Sequence, residues 1–135
     1  MREILFIDDD TRLISSFADA VRSAGFSTRL FRAPDPALEY LRTDANLDLI
    51  VWDMMLPPGE AFREVDTESG LSTGKHLFWK MRELRPASHY LLFTARGDVS
   101  FVEFDSPGTK SYVRFKTELS VRGLVEFIRG LFREG

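Results

Sequence analysis

The chain has 135 residues, a formal net charge of −3 and a sequence pI near 5.4, a length that suits one domain spanning 1–135 and leaves little room for a second core. Hydrophobic residues at 44%, aromatics at 13% and no cysteine argue against disorder and exclude disulfides, thiolate nucleophiles and cysteine-based zinc sites. The acidic balance argues against nucleic acid, no apolar run approaches the ~20 residues of a membrane span, and Met1-Arg2-Glu3 enters an apolar run without a leader pattern, so a cytoplasmic globule with no membrane partner is expected.

Ile4 to Ile7 is almost continuously apolar, as expected of a parallel strand covered on both faces. Asp10-Thr11 can cap a helix, on which Leu13, Ile14, Phe17, Ala20, Val21 and Ala24 keep helical spacing until Gly25 ends it. Phe26 to Phe31 reads as a second strand, Ala37, Leu38 and Leu41 as a short second helix, and Leu49 to Trp52 as a third strand. Between Pro57 and Thr73, Pro57-Pro58-Gly59, Gly70 and the acids Glu60, Glu64, Asp66 and Glu68 show no period. That stretch predicts a long solvated loop, with a partner contact or a cover over the site as the other reading.

Leu77, Phe78, Met81 and Leu84 predict a third helix that stops before Pro86, and Tyr90 to Phe93 a fourth strand. The region Gly97 to Lys110 should supply a fourth helix, but only Val99 to Phe104 suits one before Ser106-Pro107-Gly108 breaks it. A short or irregular element is expected there. Ser111 to Phe115 makes a fifth strand, and Leu124, Val125, Ile128, Leu131 and Phe132 a final helix. This alternation predicts an α/β fold: a doubly wound, five-stranded parallel sheet in the flavodoxin-like order 2-1-3-4-5.

In such sheets the reactive site lies beyond the carboxyl ends of the strands. The first apolar run ends in Asp8-Asp9-Asp10, the third in Asp53, the fourth in Thr94 and the fifth in Lys116. Carboxylates converging on one rim call for a divalent cation, and oxygen-only ligation favours Mg²⁺. A carboxylate can also attack phosphorus to give an aspartyl phosphate, provided the transferring oxygens meet positioned cations and donors. Mg²⁺, the Lys116 ammonium and the Thr94 hydroxyl with nearby backbone N–H groups would supply them.

Ile4-Leu5-Phe6-Ile7-Asp8-Asp9-Asp10, Asp48-Leu49-Ile50-Val51-Trp52-Asp53-Met54-Met55-Leu56-Pro57, Leu91-Leu92-Phe93-Thr94-Ala95 and Lys116 together resemble the signature blocks of response-regulator receiver domains. The resemblance implies a stand-alone CheY-like phospho-acceptor switch of a two-component or phosphorelay system, not an enzyme beyond self-catalysed phosphorylation and dephosphorylation. Asp53 would be phosphorylated, and Asp9, Asp53 and the Met55 carbonyl would ligate Mg²⁺, with Asp8 acting through water. Thr94 and Lys116 would sense the phosphoryl group, and small Ala95 would leave room for it. A histidine kinase or phosphotransfer protein would supply the phosphoryl group, a separate effector protein would read it, and homodimerisation is left open.

The sequence departs from the family in three places. About residues 58–73 form an insertion before the Gly that opens the third helix, here Gly74. Thr117 replaces the usual Pro after Lys116, which removes the basis for a cis peptide there. Tyr112 lies four residues before Lys116, one more than the family's aromatic switch residue, so strand alternation leaves both Tyr112 and Val113 open for the switch position. His76 and His89 lack a metal-ligand pattern and read as surface or packing residues, and Trp52 as core. Two other functions stand beside the switch. Asp8-Asp9-Asp10-Thr11 vaguely resembles the haloacid-dehalogenase-like phosphatase motif, with Asp8 as nucleophile and Asp10 as acid/base. The chain could also be a phosphorylation-independent interaction module on the same fold.

Overall fold

Every side chain from Ile4 to Ile7, Leu49 to Trp52 and Tyr90 to Thr94 is buried, and alternate residues along each run serve opposite faces of one sheet. Residues 1–43, 46–95 and 102–133 are described by the structure, a computed structural model. The strands are β1 (Glu3–Ile7), β2 (Ser27–Phe31), β3 (Leu49–Trp52), β4 (His89–Thr94) and β5 (Ser111–Phe115), and the helices α1 (Thr11–Ser23), α2 (Pro34–Leu41), α3 (Thr73–Leu84) and α4 (Val121–Leu131). All five strands are parallel in the order β2-β1-β3-β4-β5, as expected.

Ile4, Phe6, Leu49, Val51, Leu91 and Phe93 meet α1 and α4 through Ile14, Phe17, Val21, Leu124 and Ile128. Leu5, Ile7, Ile50, Trp52, Tyr90 and Leu92 face α2 and α3 through Leu38, Leu41, Leu77, Phe78 and Met81. Burying each large aliphatic or aromatic side chain contributes roughly 1.5–3 kcal/mol, so these two layers dominate stability. α1 starts where the Asp10 carboxylate accepts the Leu13 N–H at 3.3 Å, and the chain turns out of it at Gly25 with φ +104°, a left-handed conformation suited to glycine. No helix among the described residues is long and apolar enough to cross a membrane.

Between β4 and β5 the described residues form only two short 3₁₀ turns, Val102–Phe104 and Pro107–Thr109. The irregular element expected there is therefore seen in part, while 99–101 lie outside the described residues. Phe104 is buried and fills the place with an edge-on aromatic contact to Phe78 at 5.1 Å and to Trp52 at 6.1 Å, geometries that add to area burial. The inserted stretch has no regular secondary structure, but it is not simply solvated. Phe62 is buried in the layer facing α2 and α3, and Thr67 is buried as well.

Candidate functional site

Backbone ladders carried one residue past the strands bring the site together. The Asp8 N–H donates to Phe31 O at 3.0 Å, the Asp53 N–H to Ile7 O at 3.2 Å and the Lys116 N–H to Thr94 O at 2.9 Å. Asp8, Asp53, Thr94 and Lys116 thus leave β1, β3, β4 and β5 at a common rim. α3 is docked hard against that rim. The Gly74 N–H donates to Met54 O at 2.8 Å, the Trp52 indole N–H to Gly74 O at 2.9 Å, and a Cβ at Gly74 would lie 2.4 Å from Asp53 O. Only glycine fits this approach.

The Lys116 ammonium bridges two carboxylates, Asp8 Oδ2 at 2.6 Å and Asp53 Oδ2 at 2.8 Å, and all three side chains are more than nine-tenths buried. Their remaining oxygens are also engaged: Asp8 Oδ1 accepts the Asp10 N–H at 2.9 Å and Asp53 Oδ1 the Met54 N–H at 2.7 Å. Burial pushes the Asp8 carboxyl up to about 6, with the neighbouring Asp53 charge adding to the rise and the Lys116 bond only partly offsetting it. Burial alone would lower the Lys116 ammonium, yet attraction to Asp53 and the bonds to Asp53 and Asp8 leave it raised, so it stays charged.

Above this cluster lies a cavity of about 430 Å³ lined by Asp9, Asp10, Asp53, Met55, Leu56, Pro57, Thr94, Ala95, Lys116 and, from the insertion, Ser69, Gly70 and Leu71. Every site residue expected from the sequence is in the cavity wall except Asp8, which sits beneath. The insertion therefore reaches the site, which is the second of the readings its sequence allows, although no local signal marks Ser69, Gly70 and Leu71 individually.

Among the described residues no group of three carboxylates or histidines stands close enough to hold a metal ion. Asp9, Asp10 and Asp53 line one cavity, with Asp8 and Asp53 bridged by Lys116 and Asp9 exposed. The donor set suits Mg²⁺: Asp9, Asp53 and Met55 share one cavity and offer hard oxygens.

No protein-family model and no curated protein matches the sequence. Among solved structures, the chain is similar to a CheY-like response regulator receiver domain protein from Methanospirillum hungatei JF-1, with TM-score 0.73 and 20% identity over 97% of this chain and 93% of that one. The fold is the receiver fold. A two-component response regulator from Clostridium difficile shares it at TM-score 0.74 and 17% identity, covering 99% and 98% of the two chains. A response regulator from Burkholderia pseudomallei, solved with a phosphorylated aspartic acid, a calcium ion and citrate, shares it at TM-score 0.64 and 16% identity over 97% and 72%.

Against the receiver fold the departures take physical form. Tyr112 packs toward α1 and α4, stacked on His89 with centroids 5.9 Å apart, whereas Val113 packs toward Trp52 and Phe104 on the other face. Tyr112 and Val113 therefore serve opposite faces of the sheet, as strand alternation predicts. No peptide bond among the described residues is cis, in keeping with Thr117 after Lys116. His89 is a packing residue, as expected, and His76 lies against Phe62.

Proposed function

We propose that the protein is a phospho-acceptor switch of a two-component or phosphorelay system, phosphorylated on Asp53. The observation that carries this reading is the Asp53 carboxylate at the floor of an open cavity, 2.8 Å from a buried, charged Lys116. Phosphoryl transfer demands little covalent chemistry from the protein and much positioning of charge. An Asp53 carboxylate oxygen forms the new bond to phosphorus as the bond from phosphorus to the donor's leaving group breaks, and the leaving group departs with the electron pair. Lys116 can then exchange its bond to Asp53 for one to a phosphoryl oxygen, while Thr94, in the cavity wall, offers a hydroxyl to another.

Asp9, Asp53 and the Met55 carbonyl would hold Mg²⁺, with Asp8 acting through water. When bound, the ion would neutralise charge developing on the phosphoryl oxygens. The partners implied are a histidine kinase or phosphotransfer protein upstream and an effector protein downstream, and a cytoplasmic setting belongs with them. The protein would act as a stoichiometric acceptor rather than as an enzyme. The phosphatase reading would need Asp8 at the cavity surface. Asp8 is instead beneath it, held by Lys116 and the Asp10 N–H.

The test is incubation with Mg²⁺ and acetyl phosphate, with intact mass and site mapping of the product. Labelling of the wild type at Asp53, and none of Asp53→Asn, is expected. Equal labelling of both would refute the assignment, and labelling of neither would favour the phosphorylation-independent module.

A further inference from the structure

The insertion is anchored at both ends of its path. On the outward side, Phe62 is buried in the core and the Asp35 carboxylate of α2 accepts the Glu60 and Ala61 N–H groups at 2.8 and 2.9 Å. On the return side, the Leu56 N–H donates to Gly70 O at 3.2 Å, and a Cβ at Gly70 would come within 3.1 Å of Leu56 O. The return turn is knitted internally. Buried Thr67 accepts the Gly70 and Ser72 N–H groups on its carbonyl at 3.1 and 2.9 Å, and the Leu71 N–H donates to Glu68 O at 3.2 Å. Glu68 and Ser69 hold φ +54° and +60°, values that non-glycine residues keep only where the surroundings over-determine them.

This construction holds Ser69, Gly70 and Leu71 in the wall of the cavity that contains Asp53, Thr94 and Lys116. Leu71 and Met55 are both exposed, at 42% each, and both line the cavity, so its wall sets two apolar side chains beside the polar groups of Asp9, Asp10, Thr94 and Lys116. We propose that the segment Ser69–Leu71 shields the phosphorylated Asp53 from water, so that the insertion lengthens the life of the signal. This rests on the acceptor reading above.

Hydrolysis requires a water oxygen to bond to phosphorus while the bond from phosphorus to the Asp53 oxygen breaks. The electron pair returns to the carboxylate, a water proton passes to solvent, and inorganic phosphate leaves. The attacking water must stand in line with the breaking bond, on the side of the phosphorus away from Asp53. That side is the open cavity, and its wall includes the insertion.

The full chain is labelled with Mg²⁺ and acetyl phosphate, the donor is removed, and loss of the phosphoryl mass is followed in time. Leu71→Ala trims the wall, and Asp35→Ala loosens the anchor without touching the cavity. Decay in Leu71→Ala is expected to be about tenfold faster than in wild type, equivalent to ~1.4 kcal/mol on the barrier, with Asp35→Ala between the two. Leu71 is exposed and Asp35 half-buried, and unchanged tryptophan emission verifies that each variant is folded. Decay in folded Leu71→Ala that matches the wild type or is slower overturns the shield and leaves the acceptor reading intact. A wild type that takes no label at Asp53 overturns the acceptor reading and the shield together.

Discussion

Replacing Asp8 by Asn should stabilise the protein at neutral pH, although it removes a salt-bridged carboxylate. Burial raises the Asp8 carboxyl from 3.8 to about 6, and each unit is worth 1.36 kcal/mol, so the ionised group opposes folding by about 3 kcal/mol above pH 6. The sign follows from proton uptake. Between the two values the folded state binds the proton more tightly than the unfolded chain, so stability is fully present below pH 3.8, declines as pH rises toward 6, and stays lower above it. Asn keeps the shape of the protonated carboxyl, and the loss of the charged 2.6 Å contact to Lys116 is already contained in the raised value. A net gain of up to about 3 kcal/mol at pH 8 is expected.

The sharper observable is the pH dependence of the difference between the two proteins, in which any pH-independent offset cancels. Urea unfolding followed by tryptophan fluorescence, without divalent ions, should show the Asn variant losing its advantage by about 2.4 kcal/mol between pH 8 and pH 4. Adding Mg²⁺ at pH 8 should stabilise the wild type more than the variant. Parallel stability profiles for the two proteins would refute the reasoning, because burial would then exert no net penalty on the Asp8 charge.

Gly74→Ala should be far more damaging than its size suggests, since the added methyl would lie 2.4 Å from Asp53 O and 2.5 Å from Met54 Cα. A loss of about 2 kcal/mol or more in urea unfolding and a sharp fall in Asp53 labelling are expected. Gly130→Ala, in α4 with nothing within 4 Å, should instead stabilise by roughly 0.5–1 kcal/mol. Burial, then Lys110 and Arg2, lower the His89 imidazole from its ordinary 6.5. Its contribution is therefore full above pH 6.5 and lost as pH falls below it, opposite in sign to Asp8. His89→Phe, which can keep the stack on Tyr112, should gain on the wild type as pH drops from 7 to 5 in the same unfolding assay.

Central strands are legible because a parallel strand buried on both faces must be apolar throughout, and the run at Leu49–Trp52 matches to the residue, as does the half-buried edge run Ser111–Phe115. The start of β4 was missed by one residue, because His89 joins through its pairing with Leu49, a contact no local pattern encodes. α2 was read from its apolar face and begins earlier, at Pro34, where proline suits the first helical position. The site was readable for a related reason: in this topology a strand's last residue is a coordinate, so Asp53, Thr94 and Lys116 could be assembled before the fold was seen. How Lys116 divides itself between Asp8 and Asp53 depends on side-chain reach and could not be. The insertion was least legible. Phe62 is one aromatic among charged neighbours, which gives no period to mark it as core.

Phe62 also bears on how this segment can be inherited or moved. An ordinary surface excursion can be trimmed by deletion with small effect, because nothing beneath it depends on it. Here, excision would remove a phenylalanine from the layer over Leu77 and Phe78 and strip the Asp35 carboxylate of both backbone donors. A graft of residues 58–72 onto a shorter relative would need the matching socket and the acid on α2 at the same time. The segment and its scaffold therefore form one structural unit, which a single excision or splice would leave incomplete on both sides.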